Sequence, residues 1–190
     1  NVVSLMKNVV VAGSHGKTTT TSLISNIFSH AKIDPTVING GVLNSFSGSA
    51  RLGKSEWCIL ESDESDGSFT KIPPTYSIIT NIDKEHLDYY KSLEILKNNF
   101  INFIEKTPSF GKAFICLDDK INKQVIKKIR NLNYNTYGID KLSNFKILNI
   151  SQNENNSKFD IKINLPGSKE KLIKNIKIPL IGLHNIRNST

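Results

Sequence analysis

The sequence is poor in cysteine, tryptophan, methionine and arginine, and it has no long apolar run. Two cysteines among 190 residues are a poor disulfide framework for a secreted domain and too few for a structural zinc site. No apolar run reaches the roughly 18 residues that a membrane-spanning helix needs, so we expect no membrane association. With 11 glycines and 6 prolines, the composition also excludes collagen-like and Pro/Gly-rich disordered chains.

Both cysteines, Cys58 and Cys116, lie inside short apolar runs. This position predicts buried, free thiols and favours a reducing, cytoplasmic setting. Residues 1–7 contain neither a basic segment nor a small-residue cleavage site, so the sequence predicts no secretory signal.

The formal net charge of +8 raises the possibility of a nucleic-acid partner. Residues 112–190 carry 15 basic and 6 acidic side chains, whereas residues 1–111 are nearly neutral. The excess is almost all lysine, with 22 Lys against 3 Arg, while base readout and phosphate clamps favour Arg. We therefore expect no nucleic acid to bind, and a nucleic-acid-binding module on the basic C-terminal part stays as an alternative.

Short apolar runs alternate with amphipathic stretches along the first 138 residues. This pattern predicts the α/β class: a three-layer parallel sheet with helices on both faces, in the arrangement of a phosphate-loop protein. The predicted helices are 18–31, 93–104 and 121–129. The predicted strands are 8–13, 35–39 (ended by Gly40 and Gly41), 56–60, 76–80, 112–117 and 133–137.

After Gly138 the pattern changes to a period of two. Residues 158–165 and 174–178 alternate polar and apolar side chains, and residues 145–150 are a third candidate strand. We predict a small antiparallel β-sheet near the C-terminus, over about residues 140–180, with one solvated face that carries the lysines.

Residues 13–18 form the strongest local motif, Gly-Ser-His-Gly-Lys-Thr, between a buried strand and a helix. Glycines allow backbone N–H groups to approach phosphates, and the helix N-terminus favours an anion. Lys17 can reach the terminal phosphates of a nucleotide, and the Thr18 hydroxyl can bind Mg²⁺. Val11 stands where the full eight-residue pattern has glycine, so a structural turn is the alternative.

Acidic residues follow the third predicted strand, in the segment Glu-Ser-Asp-Glu-Ser-Asp at 61–66. Because ligands gather outside the carboxyl ends of parallel strands, Glu61 is placed to hold Mg²⁺. His86 follows the next strand end, and its imidazole suits Mg²⁺ less well than Mn²⁺. The alternatives are a solvated acidic loop and a structural histidine.

Five segments occur in one order along the chain. They are Gly-Ser-His-Gly-Lys-Thr-Thr-Thr-Thr at 13–21, Asn-Gly-Gly at 39–41, Glu-Ser-Asp-Glu-Ser-Asp at 61–66, Thr-Asn-Ile-Asp-Lys-Glu-His-Leu-Asp at 80–88 and Gly-Leu-His-Asn-Ile-Arg-Asn at 182–188. In this order they resemble the Mur ligase family of peptidoglycan synthesis. The resemblance spans nearly the whole chain, and the loop and acidic segment are most similar to the branch that joins L-alanine to UDP-N-acetylmuramate. Arg187 departs from the family, which has a smaller apolar residue there.

This resemblance implies an ADP-forming ligase. ATP would phosphorylate a substrate carboxylate, and the amine of L-alanine would attack the resulting acyl phosphate to form an amide. The implied partners are UDP-N-acetylmuramate and L-alanine, and the implied cofactors are ATP and Mg²⁺, with Mn²⁺ as an alternative ion. Another Mur-type ligase, a folate-polyglutamate-type ligase and a generic phosphate-loop NTPase stay open as alternatives.

The resemblance also assigns roles to individual positions. The implied catalytic residues are Lys17, Glu61 and His86, and the implied metal ligands are Thr18, Glu61 and His86. The nucleotide would contact Gly13, Ser14, His15, Gly16, Lys17, Thr18, Thr19, His184, Asn185 and Asn188. The muramyl substrate would face Asn39, Gly40, Gly41, Asp63, Glu64, Ser65 and Arg51.

By the same resemblance, residues 1–183 correspond to the central ATP-binding domain and residues 184–190 to the start of a link to a C-terminal domain. The N-terminal UDP-binding domain of the family would be absent. We therefore expect the isolated chain to bind nucleotide weakly and not to ligate. We predict no carbamylated lysine, and we place Lys97 on a solvated helix face.

Overall fold

The computed structural model describes residues 2–43, 48–131 and 133–190. Its strands are β1 Lys7–Ala12, β2 Thr36–Leu43, β3 Gly48–Arg51, β4 Trp57–Glu61, β5 Tyr76–Ile79, β6 Lys112–Cys116, β7 Tyr134–Gly138, β8 Phe145–Gln152, β9 Ser157–Ile163 and β10 Lys171–Ile178. Its α-helices are α1 Lys17–His30, α2 Leu87–Tyr90, α3 Leu93–Glu105, α4 Lys120–Ile126 and α5 Leu183–Asn188. Two 3₁₀ helices cover Val2–Leu5 and Ser68–Lys71.

The described strands form a single sheet in the order β10-β9-β8-β7-β6-β5-β1-β4-β2-β3. β1 lies between β4 and β5 and is parallel to both. Since the carboxyl ends of these three strands meet at one edge, the loops that follow them share that edge. The predicted parallel sheet of an α/β protein is confirmed.

The main core packs helices against the middle of this sheet. Val10 and Ile79 are fully buried, because a strand with helices on both faces has no solvated side. Helix α3 begins at Leu93, where the Ser92 side chain caps it by accepting the Ile95 N–H at 3.3 Å. Its apolar face buries Phe100 against the Phe69 ring, with ring centroids 4.9 Å apart.

The predicted antiparallel strands near the C-terminus are confirmed, and they continue the parallel sheet. β8 pairs in parallel with β7, and β9 pairs antiparallel with both β8 and β10. A second apolar cluster covers this half of the sheet and contains Ile147, Phe159, Ile161, Ile178 and Ile186. Lys171, Lys174 and Lys177 of β10 are exposed, but they are three residues apart, and Leu172 and Ile173 are exposed as well. The predicted period of two is therefore interrupted in this strand, at the register shift after Ile173.

Asp160 connects two interruptions of that period-two pattern. Asn149 and Asn175 both have left-handed backbone conformations, with φ of 52° and 60°, beside register shifts in β8 and β10. The Asp160 carboxylate accepts the Asn149 Nδ2–H at 2.7 Å and the Asn175 backbone N–H at 2.7 Å. Hydrogen bonds from Asn149 and Asn175 hold the pKa of Asp160 below its usual range. One carboxylate on the central strand therefore fixes a bulge in each neighbour.

Two sequence predictions need correction. Gly40 and Gly41 do not end the second strand; they lie inside β2, which continues to Leu43 and pairs antiparallel with β3 across a register shift. The Lys97 side chain is 11% exposed, with its ammonium 3.5 Å from Glu94, so its predicted solvated position is wrong. Long lysine stems cover apolar surface while the charged end reaches a partner.

No helix in the described ranges is both long enough and apolar enough to cross a membrane.

The two cysteines yield a prediction about reactivity. Both are free and buried, and burial raises the pKa of Cys58 and of Cys116 to about 11. Because the thiolate is the nucleophile, we expect neither thiol of the folded chain to react with Ellman's reagent at pH 8. Both should react after denaturation. Rapid labelling of either residue in the folded state would contradict the buried placement.

Candidate nucleotide and cation site

The phosphate loop connects the end of β1 to the start of α1. Gly13 and Gly16 have φ of 132° and 85°, conformations that favour glycine. A Cβ on Gly13 would lie 2.2 Å from Thr80 Oγ1, and a Cβ on Gly16 would lie 2.6 Å from Asn188 Oδ1. Backbone conformation requires both glycines, and close packing against the Asn81 backbone adds to the requirement at Gly13.

The end of β5 clamps this loop through Asn81. The Asn81 carboxamide accepts the His15 backbone N–H at 2.9 Å and donates to the His15 carbonyl at 2.9 Å. The Asn81 carbonyl accepts the Ser14 N–H at 2.9 Å, and the Thr80 hydroxyl donates to the His15 carbonyl at 2.7 Å. Sequence reasoning missed this role, although polar residues at the end of a strand beside β1 were a usable signal.

The clamp determines which backbone donors remain for a ligand. The N–H groups of Ser14 and His15 are occupied, whereas those of Gly16, Lys17 and Thr18 have no acceptor among the described residues. α1 begins at Lys17 without a side-chain cap or an acidic residue in its first turn. Free N–H groups at the positive end of a helix form an anion site.

Thr18 and Glu61 lie together beside the first turn of α1. The Thr18 hydroxyl donates to Glu61 Oε2 at 2.9 Å, and the same carboxylate accepts the Gly40 backbone N–H at 2.8 Å. Register explains the meeting, because β4 lies directly beside β1 and Glu61 is the partner of Val11. A hydroxyl and a carboxylate in contact are oxygen donors suited to Mg²⁺.

Lys17 pairs with a buried carboxylate. Its ammonium lies 2.7 Å from Glu64 Oε2 and 3.8 Å from Asp63 Oδ1. The Lys17 and Glu64 side chains are 12% and 2% exposed, so solvent screens this pair weakly.

His86 lies close to the same two carboxylates, Asp63 and Glu64. Ligand atoms of Asp63, Glu64 and His86 all lie within 4.8 Å of one another, and His86 Nε2 is 4.0 Å from Glu64 Oε1. That Glu64 oxygen is buried and has no hydrogen-bond partner. His86 itself has φ of 56°, an unfavourable conformation for a residue other than glycine, of a kind that is common at functional sites.

Asp63 is held in its charged form. Desolvation acts to raise its pKa, but hydrogen bonds from the Ser65 hydroxyl and N–H, with the charges of Lys17 and His86, bring the pKa below its usual range. The group formed by Asp63, Glu64 and His86 therefore contains a carboxylate that stays ionised at neutral pH. Ser65, assigned to the substrate side by the sequence, lies in this loop at 2.9 Å from Asp63 Oδ2.

The side chain of His15 lies on the solvent side of the loop. Its Nε2 is 3.1 Å from Asp83 Oδ2 and 3.5 Å from Glu85 Oε1, and the imidazole is 61% exposed. The Ser14 hydroxyl accepts the Asp83 backbone N–H at 2.9 Å. Both residues therefore connect the loop to the segment after β5.

α5 brings the C-terminal motif to the phosphate loop. A cleft of about 480 Å³ is lined by His15, Gly16, Thr19, Asn81, Leu180, His184, Asn185 and Asn188. The Arg187 Nε–H donates to Asp118 Oδ2 at 2.6 Å, and Ile186 is fully buried. Arg187, which the family pattern does not predict, thus holds the helix against the end of β6.

The predicted substrate residues divide into two groups. Gly40 donates its N–H to Glu61, and a Cβ on Gly41 would lie 3.4 Å from the Thr18 methyl group. Asn39 is 5% exposed with both amide atoms unpartnered. Arg51 lies elsewhere. It is the β3 partner of Val37, near the start of β2, and its guanidinium contacts Asp34, which precedes that strand. The antiparallel hairpin therefore returns Arg51 to the opposite edge of the sheet.

Comparison with known proteins agrees with this geometry. The family model of the Mur ligase middle domain matches residues 11–190. The chain belongs to the Mur ligases. A UDP-N-acetylmuramate–L-alanine ligase of Pelagibacter ubique is 64% identical over 190 residues, covering 100% of this chain and 41% of the relative.

Solved Mur ligases share the fold. The UDP-N-acetylmuramate-alanine ligase of Thermotoga maritima has a TM-score of 0.79 and 26% identity, over 97% of this chain and 40% of that chain. The MurF ligase of Thermotoga maritima, solved with ADP, has a TM-score of 0.69 and 19% identity, over 97% of this chain and 44% of that chain. The chain thus spans about two fifths of the length of these three Mur ligases.

The Asn81 clamp can be tested by replacement. Asn81→Ala removes both carboxamide bonds to His15, so we expect the free energy of unfolding to fall by about 1–3 kcal/mol. We expect ADP affinity to fall about tenfold, measured by calorimetric titration, because the loop loses its preorganised shape. Asn99→Ala is the matched control, since the Asn99 carboxamide donates to the Ile95 carbonyl of its own helix. An unchanged ADP affinity in Asn81→Ala would contradict the clamp.

Proposed function

We propose that this chain is the ATP-binding domain of a ligase that joins L-alanine to UDP-N-acetylmuramate. The proposal rests on groups that lie together at one edge of the sheet. They are the unpaired N–H groups at the start of α1, the Lys17 ammonium, and the carboxylates of Glu61 and Glu64. The 64% identity to a relative of that name supports the substrate assignment.

The nucleotide phosphates would bind at the first turn of α1. The free N–H groups of Gly16, Lys17 and Thr18 lie there, and the Lys17 ammonium is close by, 3.4 Å from the Ser14 carbonyl of the loop. Positive groups placed where charge develops in a phosphoryl transfer are the main source of acceleration. His184, Asn185 and Asn188 would contact the nucleotide from α5.

Two cation positions fit the donor groups present. Thr18 and Glu61 would hold one Mg²⁺, since a hydroxyl and a carboxylate are already in contact there. His86, with Asp63 and Glu64, would hold the second, which could be Mg²⁺ or Mn²⁺, because the unpartnered Glu64 oxygen needs a cation or a donor. Bound divalent ions supply charge neutralisation between a phosphate and a substrate carboxylate.

The muramyl substrate would enter beside β2. Asn39 offers a buried, unpartnered amide to it, and Gly40 and Gly41 leave room next to Thr18 and Glu61. The loop of Asp63 to Ser65 would face it from the other side.

We further propose that the isolated chain binds nucleotide weakly and does not ligate, and that the protein works in the cytoplasm. The matched relatives are more than twice as long, and ligases of this type depend on domain closure around the reactants. The two free thiols support a reducing compartment.

The substrate proposal is tested on a full-length enzyme that carries this chain. We expect ADP release with UDP-N-acetylmuramate and L-alanine, and none with UDP-N-acetylmuramoyl-L-alanine and D-glutamate. Release only with the second pair would assign the chain to another Mur-type ligase. ADP release that does not depend on a muramyl substrate would favour a folate-polyglutamate-type ligase or a generic NTPase.

Glu61→Gln tests the first cation position in the same enzyme. The substitution keeps the shape but removes the charge, so we expect kcat to fall about a hundredfold or more. Glu56→Gln is the matched control, since Glu56 precedes the same strand at the opposite edge and pairs with Lys7 in solvent. An activity of Glu61→Gln equal to that of Glu56→Gln would contradict the assignment.

A further inference from the structure

Glu64 is the most unusual charged residue of the site. It is 1% exposed, and its two oxygens have different environments. Oε2 binds the Lys17 ammonium at 2.7 Å, whereas Oε1 has no hydrogen-bond partner and faces His86. A buried carboxylate needs compensation by a cation or by donors, so half of this group is left unsatisfied.

We propose that Glu64 is a switch that couples nucleotide binding to cation binding. Without nucleotide, the Glu64 carboxylate neutralises Lys17. When phosphate oxygens draw Lys17 away, the full negative charge of Glu64 becomes available to a divalent cation that Asp63 and His86 also hold. The proposal rests on the proposed function only in assuming that nucleotide phosphates bind Lys17.

The geometry allows one carboxylate to serve both partners. The Glu64 carbonyl is held by the Tyr90 hydroxyl and by the Gly67 N–H at 3.1 Å. Its backbone is therefore fixed while the carboxylate lies between Lys17 and His86. No shift of the loop is needed to exchange one partner for the other.

The competition has a thermodynamic consequence. In the nucleotide-free protein, the Lys17 charge lowers the attraction of the Asp63–Glu64–His86 cluster for a second cation. Removing Lys17 from Glu64 by any means raises that attraction, and the coupling must act equally in both directions. The phosphate-binding lysine should therefore weaken metal binding in the absence of phosphate.

Mn²⁺ alone is the probe, with bound ion measured by electron paramagnetic resonance on the nucleotide-free 190-residue chain. We expect Lys17→Met to bind Mn²⁺ about tenfold more tightly than the unaltered chain, which corresponds to about 1.4 kcal/mol. Misfolding would separate Asp63, Glu64 and His86 and would therefore weaken this site. Equal or weaker binding by Lys17→Met would overturn the proposal.

Two further variants separate the switch from a general charge effect. Adding Glu64→Gln to Lys17→Met should leave only a small gain relative to Glu64→Gln alone, because the main coupling passes through this carboxylate and only the longer contact of Lys17 with Asp63, 3.8 Å, remains. Lys84→Met is the matched control, since Lys84 is an exposed lysine near the same sheet edge, and it should leave Mn²⁺ affinity within twofold. A full gain in the double variant, or in Lys84→Met, would show charge removal only and overturn the switch.

The outcome is independent of the ligase assay. If Lys17→Met does not tighten Mn²⁺ binding while the full-length enzyme releases ADP with L-alanine, the switch fails and the proposed function stands. If Mn²⁺ binding tightens but no L-alanine-dependent ADP release occurs, the switch stands and the proposed function fails.

Discussion

The parallel register of three strands is the constraint on which the site depends. β1 is hydrogen-bonded to β4 on one side and to β5 on the other, so Val11 lies beside Glu61 and Ala12 beside Ile79. The phosphate loop, the acidic loop and the Thr80–Asn81 segment therefore all begin at the same edge of the sheet. A shift of one residue in either pairing would turn the side chains of that strand to the other face.

Charge is the second organising feature, and it is concentrated at this edge. Each carboxylate there has a specific compensation: Glu61 accepts from Thr18 and the Gly40 N–H, and Glu64 accepts from Lys17. Such compensation is needed because burial makes an isolated charge costly. Glu64 Oε1 is a buried carboxylate oxygen without a partner among the described residues, and it marks a position where the site lacks a donor or a cation.

Local patterns were sufficient for much of the fold and part of the candidate site. The apolar run of β1, the glycine-rich loop and the amphipathic α1 are contiguous in sequence, so their order predicts their geometry. Glu61 and His86 were found because each follows the end of a strand. In contrast, the Asn81 clamp, the β2–β3 hairpin and the bulges fixed by Asp160 depend on which strands become neighbours, which no local window contains.

The sequence by itself determined the fold class, the family and the presence of a phosphate loop, because these depend on hydrophobic periodicity and on short contiguous motifs. The tertiary structure decided the partners: Lys17 with Glu64, His86 with Asp63 and Glu64, and Arg187 with Asp118. It also returned Arg51 to the far edge of the sheet. The physical reason is that the energy of a charged or polar group depends on its burial and on its neighbours across the sheet, and both are properties of strand order and register.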